Sequence, residues 1–388
     1  MAKSWDKFGL KWALEDYDQK FSESNNDYKA SAEVVLSINP TEKKDIVMDI
    51  GSGTGISTIP MFDLNPTIES MTCIEPAEAI RVAKHKFSHE TLFDSDDSGI
   101  IEEKLGVKLN PDYITHLKET RNRMYRFKDK IKFINEPAQK LSELIDNNAI
   151  EASSADKIYC FSSFHWLANN EESGRTSPGF VSNSLKGFYK ALKPNGVLVF
   201  NESGLQFNYG METVDINGGR YKGMLANDVH MLQQEFHKRF IDNLNNIFKE
   251  KGFSDKAIMD TGGKIDSYHF LFDMYSLTKI LSENGFRIKK LKNPHSPVKT
   301  CVDSINYVPR HGDYLFTVLS KKAENWERFI VTAGNMRYFN HADELKELPS
   351  DKRKDMLVEA YNKTVEKYDK LRNIPHGETF ATFVAEKQ

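Results

Sequence analysis

Short apolar runs alternate with amphipathic stretches through roughly the first half of the chain, and that rhythm predicts the elements. Residues 45–50, DIVMDI, read as a buried strand with an acid, Asp49, at its end, and STIPMFDL (57–64) as the helix it feeds. ESMTCI (69–74) gives a second strand running into Glu75-Pro76, followed by a helix at about 77–87. IKFIN (131–135) makes a third strand and DKIYCFS (156–162) a fourth. The helical pattern SNSLKGFYKAL (182–192) leads through the turn KPNG to a fifth strand, VLVFN (197–201). Apolar strands alternating with helices mean βαβ units and a parallel sheet buried on both faces, with right-handed crossovers.

Three regions exceed that minimal pattern. Residues 88–130 hold an acidic run, DSDDSG, and a charged helical stretch, so they read as an insertion. Residues 203–270 begin rich in Gly and Asn and then become an amphipathic helix at about 226–251, with Val229, Leu232, Phe236, Phe240, Leu244 and Ile247 at helical spacing. Residues 324–373 are helical and strongly charged. Near the end, LTKILSENGFRIKKLK (277–292) reads as a helix closed at Gly285 and then a sixth strand. The closing strand is TFATFVAEK (379–387) or YLFTVLS (314–320), the former being favoured, with 293–376 inserted before it.

Composition narrows the function classes. The 388 residues allow a catalytic domain of about 250 residues with sizeable additions. A formal net charge of −3, from 53 basic and 56 acidic residues, argues against a broad phosphate-binding surface, so no nucleic acid partner is expected. Cys73, Cys160 and Cys301 form no CxxC pair, which fits a reducing compartment and offers neither a disulfide framework nor a zinc site. His230, Glu235 and His237 do not form a metal-binding set and read as a solvated helix face. The charged N-terminus has no apolar targeting core, and no stretch approaches a membrane span; a cytoplasmic, soluble protein with no membrane partner is expected.

The chemistry centres on Asp49-Ile50-Gly51-Ser52-Gly53-Thr54-Gly55. Alternate glycines let the chain turn sharply and let a ligand approach the backbone; the plain alternative is a structural turn. A dinucleotide loop would space its glycines G-x-G-x-x-G, and a phosphate loop would continue into Gly-Lys-Ser/Thr. Neither pattern is present, and the leading acid suits an ammonium group better than a phosphate. Glu75, at the end of the second strand, can accept both hydroxyls of a ribose. NEPAQKL (135–141), after the third strand, can read an adenine edge. An amino acid end, a ribose and an adenine together describe S-adenosylmethionine.

Asp49 to Gly55, Glu75, Pro137-Ala138-Gln139, DKIYCFSSFHWL (156–167) and ALKPNGVLVF (191–200) resemble the successive motifs of class I S-adenosylmethionine-dependent methyltransferases. The likeness covers roughly residues 40–203 and the final helix–strand unit. FHW (164–166) and the segment from ENWERF (324–329) are weakly similar to the small-molecule enzymes of the trans-aconitate and juvenile-hormone-acid type. The resemblance implies a Rossmann-like, doubly wound, mostly parallel seven-stranded sheet with helices on both faces and helical insertions capping the site. Its divisions would be an N-terminal helical lid (1–40), the cofactor-binding core (41–203, with the insertion 88–130), a helical substrate cap (204–273) and the end of the sheet (274–388, with a helical insertion at about 324–373).

The resemblance also implies residue roles. Gly51, Ser52, Gly53, Thr54 and Gly55 would pack against the methionine part of the cofactor, with Asp49 orienting it. Glu75 would bind the ribose, and Pro76 and Ala77 would line the adenine. Ala138 would offer its N–H to the ring; Pro137 stands where the family often has an adenine-accepting Asp, so Gln139 is the replacement candidate. Ser162 and Ser163 would lie near the methyl group. His165 is a candidate general base and Trp166 a candidate catalytic and substrate-pocket wall, the alternative for both being loop packing. Tyr17 and Tyr28 are candidate substrate contacts on the lid, with ordinary packing as the alternative.

The expected function is methyl transfer from S-adenosylmethionine, leaving S-adenosylhomocysteine, to a small-molecule acceptor, with oxygen favoured. N-, S- or C-methylation, an RNA or protein substrate, and a non-catalytic cofactor-binding scaffold are the alternatives. Nothing like N/D-P-P-Y follows the fourth strand, which lowers the nucleic-acid reading. A homodimer is compatible with the sequence.

Overall fold

The structure is a computed structural model. It describes residues 9–19, 27–93, 97–170, 175–176, 178–203, 226–259, 274–289, 291, 304–310, 314–321, 338–339, 342–367 and 376–388. The chain starts with a π-helical turn, Trp12–Asp18, and helix α1, Asp27–Ile38. The alternating units follow as β1 (Ile46–Ile50), α2 (Thr58–Leu64), β2 (Ser70–Ile74) and α3 (Ala79–Lys86). Two helices of the 88–130 region come next, α4 (Ser98–Leu105) and α5 (Pro111–Met124), before β3 (Ile131–Ile134). The core continues with α6 (Leu141–Asp146), β4 (Ala155–Phe161), α7 (Val181–Ala191) and β5 (Leu192–Ser203). Helix α8 (Ala226–Glu250) and α9 (Met274–Glu283) precede β6 (Phe286–Ile288), β7 (Ser304–Arg310) and β8 (Tyr314–Lys321). Helices α10 (Asp343–Lys346) and α11 (Ser350–Lys367) lead to β9 (His376–Lys387).

The strands form one sheet in the order β3-β2-β1-β4-β5-β9-β8-β7, with β6 also paired to β9. The first five are parallel, and β9 runs against β5. On its far side β9 pairs with β8 through residues 376–382 and with β6 through 385–387. Both segments that competed for the closing position are therefore strands: 379–387 pairs with β5, and 314–320 lies beyond it. Seven strands make the expected core, and the β7–β8 hairpin widens it by two. The turn KPNG interrupts β5's ladder, with Asn195 at φ +62° and a register shift between Ala155 and Lys157.

Alternation along the strands feeds two cores, as a doubly covered sheet requires. Met48, Ile50, Ile158, Cys160, Leu198, Phe200, Phe383 and Ala385 pack with α6, α7 and α9 on one face. Val47, Tyr159, Phe161, Val197, Val199 and Val384 pack with α1 and α2 on the other. Cys73 and Cys160 are fully buried in these cores, and burial pushes the Cys73 thiol well above its ordinary pKa. A third cluster joins Phe240, Leu244 and Ile247 of α8 to Leu357, Ala360 and Tyr361 of α11. These are the inward positions of the helical pattern read from the sequence; the side chains of Val229, Leu232 and Phe236 lie outside the described residues. So do Cys301, the side chains of His230, Glu235 and His237, and the ENWERF segment. Among the described residues no helix is long and apolar enough to cross a membrane.

A fourth cluster belongs to the N-terminal segment and the insertion. Ala13 and Leu14 pack with Ala77, Ala79 and Val82 and with Ile101, Leu109, Tyr113 and Leu117 of the 88–130 region. The insertion's helices are locally well specified. Asp97 caps α4 by accepting from Gly99 N–H (2.8 Å), and Gly106 closes it at φ +66°. Asn110 caps α5 by accepting from Asp112 N–H (3.0 Å), with Pro111 as the first helical residue.

Candidate active site

The strand order reverses between β1 and β4, and the crevice at their carboxyl ends is where open α/β sheets bind ligands. Gly51 follows β1 and donates its N–H to Ile74 O (2.8 Å), which ties the loop to β2. Gly51, Gly53 and Gly55 all have positive φ, at +72°, +52° and +83°. A Cβ on Gly51 would meet Ser163 Cβ at 2.6 Å, and one on Gly55 would meet Ala83 Cβ at 3.3 Å. Among the described residues a Cβ on Gly53 would meet nothing within 4 Å. Two of the glycines are thus required by the protein's own packing, and Gly53 presents open space.

Asp49 is completely buried. Its Oδ2 accepts from Thr58 Oγ1 (2.7 Å) and Ser57 Oγ (3.5 Å), at the start of α2. Among the described residues its Oδ1 has no hydrogen-bond partner, and neither has the buried hydroxyl of Thr54. Burial lifts the Asp49 carboxyl from 3.8 to about 7, against the lowering pull of Thr58 and Ser57, and the Glu75 charge adds to the rise. A buried acid with one oxygen unsatisfied is a place prepared for a donor or cation that the described residues do not supply.

Glu75 grips the loop from the β2 side. Its Oε2 accepts from Gly53 N–H (3.0 Å) and its Oε1 from Ala77 N–H (2.9 Å). Burial raises its carboxyl from 4.5 to about 6, while the two backbone N–H groups hold it back. Each oxygen retains a second lone pair, so the carboxylate can also take the hydroxyls of a ribose. Asn135 donates to Glu75 O (2.8 Å) and fastens the end of β3 to the end of β2.

The sequence-predicted residues fall into four groups. Asp49, the glycine loop, Glu75 and Ala77 are brought together at the ends of β1 and β2; Pro76 joins them as the residue between Glu75 and Ala77. Ala138, buried, opens a short 3₁₀ turn after Pro137, and Gln139 Nε2 donates to Leu167 O (3.4 Å), linking the β3 and β4 loops. After β4, Ser163 Oγ donates to Ile50 O (2.8 Å), so this hydroxyl secures the loop beside Gly51. Ser162 sits at φ +47°, a strained value for a residue with a side chain. His165 is buried, and its ring lies 5.3 Å from that of half-buried Trp166. Tyr17 stacks on Trp12 (5.0 Å) in the N-terminal turn. Tyr28 belongs to α1, and its side chain lies outside the described residues.

Some supporting residues escaped the sequence reading. Asn201, fully buried at the end of β5, accepts from Ser162 N–H (2.9 Å) and donates to Ser162 Oγ (3.2 Å). Lys86 donates to Asp18 Oδ1 (2.6 Å) and to Thr54 O (3.0 Å), and Asp18 Oδ2 accepts from Tyr113 OH (2.6 Å). The polar ending of VLVFN was a readable cue for Asn201; Lys86, one of three basic residues in the last turn of α3, carries no cue of its own.

A family model described as a methyltransferase domain matches residues 23–258. The chain belongs to that family. Solved structures similar to the methyltransferase are found at low identity. YcgJ of Bacillus subtilis is 11% identical, with 92% of this chain and 98% of that one covered and a TM-score of 0.41. Phosphoethanolamine N-methyltransferase 2 of Haemonchus contortus, in complex with S-adenosyl-L-methionine, is 12% identical, with 100% of this chain and 60% of that one covered and a TM-score of 0.41. No curated protein matches the sequence. The methyltransferase is of class I and its cofactor is S-adenosylmethionine, which the unsatisfied Asp49 oxygen, the spare lone pairs of Glu75 and the open face of Gly53 fit.

Proposed function

We propose that the enzyme methylates a small molecule, with an oxygen, carboxylate or hydroxyl, as the acceptor atom. The observation that carries this reading is the closure of the site's flank by the chain itself. The N-terminal turn packs Ala13 and Leu14 against Ala77 and Ala79, beside the proposed ribose acid. Such a wall covers the ribose side of the site and excludes water better than an open surface does, which suits an enclosed, small acceptor. The near balance of charges, net −3, also supports it over a nucleic-acid substrate.

S-adenosylmethionine brings a sulfonium-activated methyl group, so catalysis rests largely on positioning. Asp49 would hold the amino acid end of the donor and Glu75 its ribose, and the Gly51–Gly55 backbone would set the depth at which it lies. Ser162, held at positive φ by Asn201, would define the approach from the β4 side. A carboxylate acceptor needs no base; a hydroxyl needs one, for which His165 is the proposed group and Trp166 the neighbouring wall.

Incubation with methyl-labelled cofactor and pooled acids, phenols, amines and thiols tests the proposal. Label in the acid or phenol pool is the expected outcome. Label only in amines or thiols moves the acceptor to nitrogen or sulfur. No turnover over the whole panel, with S-adenosylhomocysteine still bound, favours a non-catalytic scaffold.

A further inference from the structure

The N-terminal segment and the 88–130 insertion meet behind the glycine loop through a buried charge pair. Lys86 ends α3 with its side chain 3% exposed, and Asp18, its side chain 2% exposed, ends the π-helical turn. The ammonium bridges Asp18 Oδ1 (2.6 Å) and the carbonyl of Thr54 (3.0 Å), which lies within the glycine loop. Tyr113 of α5 donates to the other Asp18 oxygen (2.6 Å), so the insertion completes the network. The loop is therefore held on two sides, by Glu75 at the Gly53 N–H and by Lys86 at the Thr54 carbonyl.

A buried ammonium left with only a neutral carbonyl is strongly disfavoured, and the surroundings must rearrange to solvate it. Undocking of the N-terminal turn would create that situation, because Asp18 would leave with it. The group that would have to shift with Lys86 is the loop carbonyl. Docking is further secured by Leu10 N–H on Glu78 Oε2 (2.9 Å), three residues after Glu75, and by Asn110 N–H on Gln19 Oε1 (2.9 Å). These contacts bind the segment to both the cofactor flank and the insertion.

We propose that Lys86 is a positioning residue for the cofactor loop, and that Asp18 couples docking of the N-terminal segment to S-adenosylmethionine binding. The inference rests on the glycine loop being the cofactor site. Coupling is reciprocal: a docked segment tightens cofactor binding, and bound cofactor holds the segment down.

Calorimetry with S-adenosylhomocysteine on the full chain, below its melting temperature, tests this with Asp18→Asn, Lys86→Met and the double variant. Asp18→Asn should weaken binding by about tenfold or more. The double variant should lose much less than the two single losses combined, because no lone buried charge remains. Hydrogen exchange in residues 9–19 should slow on addition of S-adenosylhomocysteine in the wild type and not in Asp18→Asn. Tyr113→Phe, which keeps both charges, should bind about threefold more weakly and gives a readout even where Asp18→Asn does not fold. Wild-type affinity in Asp18→Asn or in Tyr113→Phe, with only the melting temperature lowered, overturns the inference alone. Failure of the wild-type chain to bind S-adenosylhomocysteine overturns the cofactor site and the inference with it.

Discussion

The Glu75 carboxylate accepts the Gly53 N–H at 3.0 Å, so the acid that ends the second strand holds the glycine loop directly. It therefore serves the loop before any ligand arrives, and substitution should act on both the loop and the ligand. Glu75→Ala strands two N–H groups, of Gly53 and Ala77, at a stability loss of about 1–3 kcal/mol for each that water does not reach. We expect its S-adenosylhomocysteine affinity to fall by at least about tenfold in calorimetry. Glu75→Gln keeps one acceptor and should lie between. Undiminished affinity in Glu75→Ala would show that this acid does not touch the cofactor.

Asp49 makes the free protein sensitive to pH. Its carboxyl sits near 7 in the folded chain because burial disfavours the charge, against 3.8 when exposed. The folded state thus holds a proton that the unfolded chain has released, and stability falls as pH rises between about 4 and about 7. Glu75, lifted to about 6, adds a loss in the same direction over the lower part of that window. A ligand ammonium reverses the preference by favouring the ionised acid. The thermal shift given by S-adenosylhomocysteine should therefore be larger at pH 8 than at pH 5.5, and Asp49→Asn should flatten the difference. Calorimetry in buffers of different ionisation enthalpy should show proton release on binding.

The glycine loop separates a packing requirement from a ligand requirement. Gly51→Ala places a Cβ 2.6 Å from Ser163 Cβ at a φ of +72°, and should destabilise the protein by more than about 2 kcal/mol. Gly53→Ala meets no protein atom within 4 Å, so its cost should stay near the 1–2 kcal/mol of a left-handed backbone. Its effect on S-adenosylhomocysteine binding should be the larger of the two when measured on folded protein. A Gly53→Ala variant that binds normally would mean that the cofactor does not approach this face.

Sequence periodicity revealed the parallel core because apolar alternation and strand-end acids are local signals. Ile46–Ile50, Ser70–Ile74 and Ala155–Phe161 lie within a residue or two of the expected spans. Pairing across the far edge was less legible, since both 314–320 and 379–387 are strand-like; the favoured 379–387 meets β5, and 314–320 adds a strand beyond it. The same distinction runs through the site. Asp49 and the glycines announce themselves by spacing, whereas Asp18 and Lys86 stand 68 positions apart and acquire meaning only when buried together. Ser163 was expected near the methyl group; that its hydroxyl also donates to Ile50 O is a preference that no residue pattern encodes.

Asn201 offers the clearest test of whether the β4 loop is held for function. Its amide satisfies both the N–H and the hydroxyl of Ser162, which stays at φ +47°. Asn201→Ala removes both partners from a fully buried position and should lower stability by about 1–3 kcal/mol. Ser162→Gly relieves the backbone strain while losing only the hydroxyl contact, so its stability should stay within about 1 kcal/mol of the wild type. Both variants free the same loop, one at a loss of stability and one nearly without it. If the loop positions the reacting groups, both should show reduced turnover with cofactor affinity largely kept. Full turnover in Ser162→Gly would mean that the strained backbone serves folding alone, and that the methyl-transfer geometry is set from the Glu75 and Asp49 side.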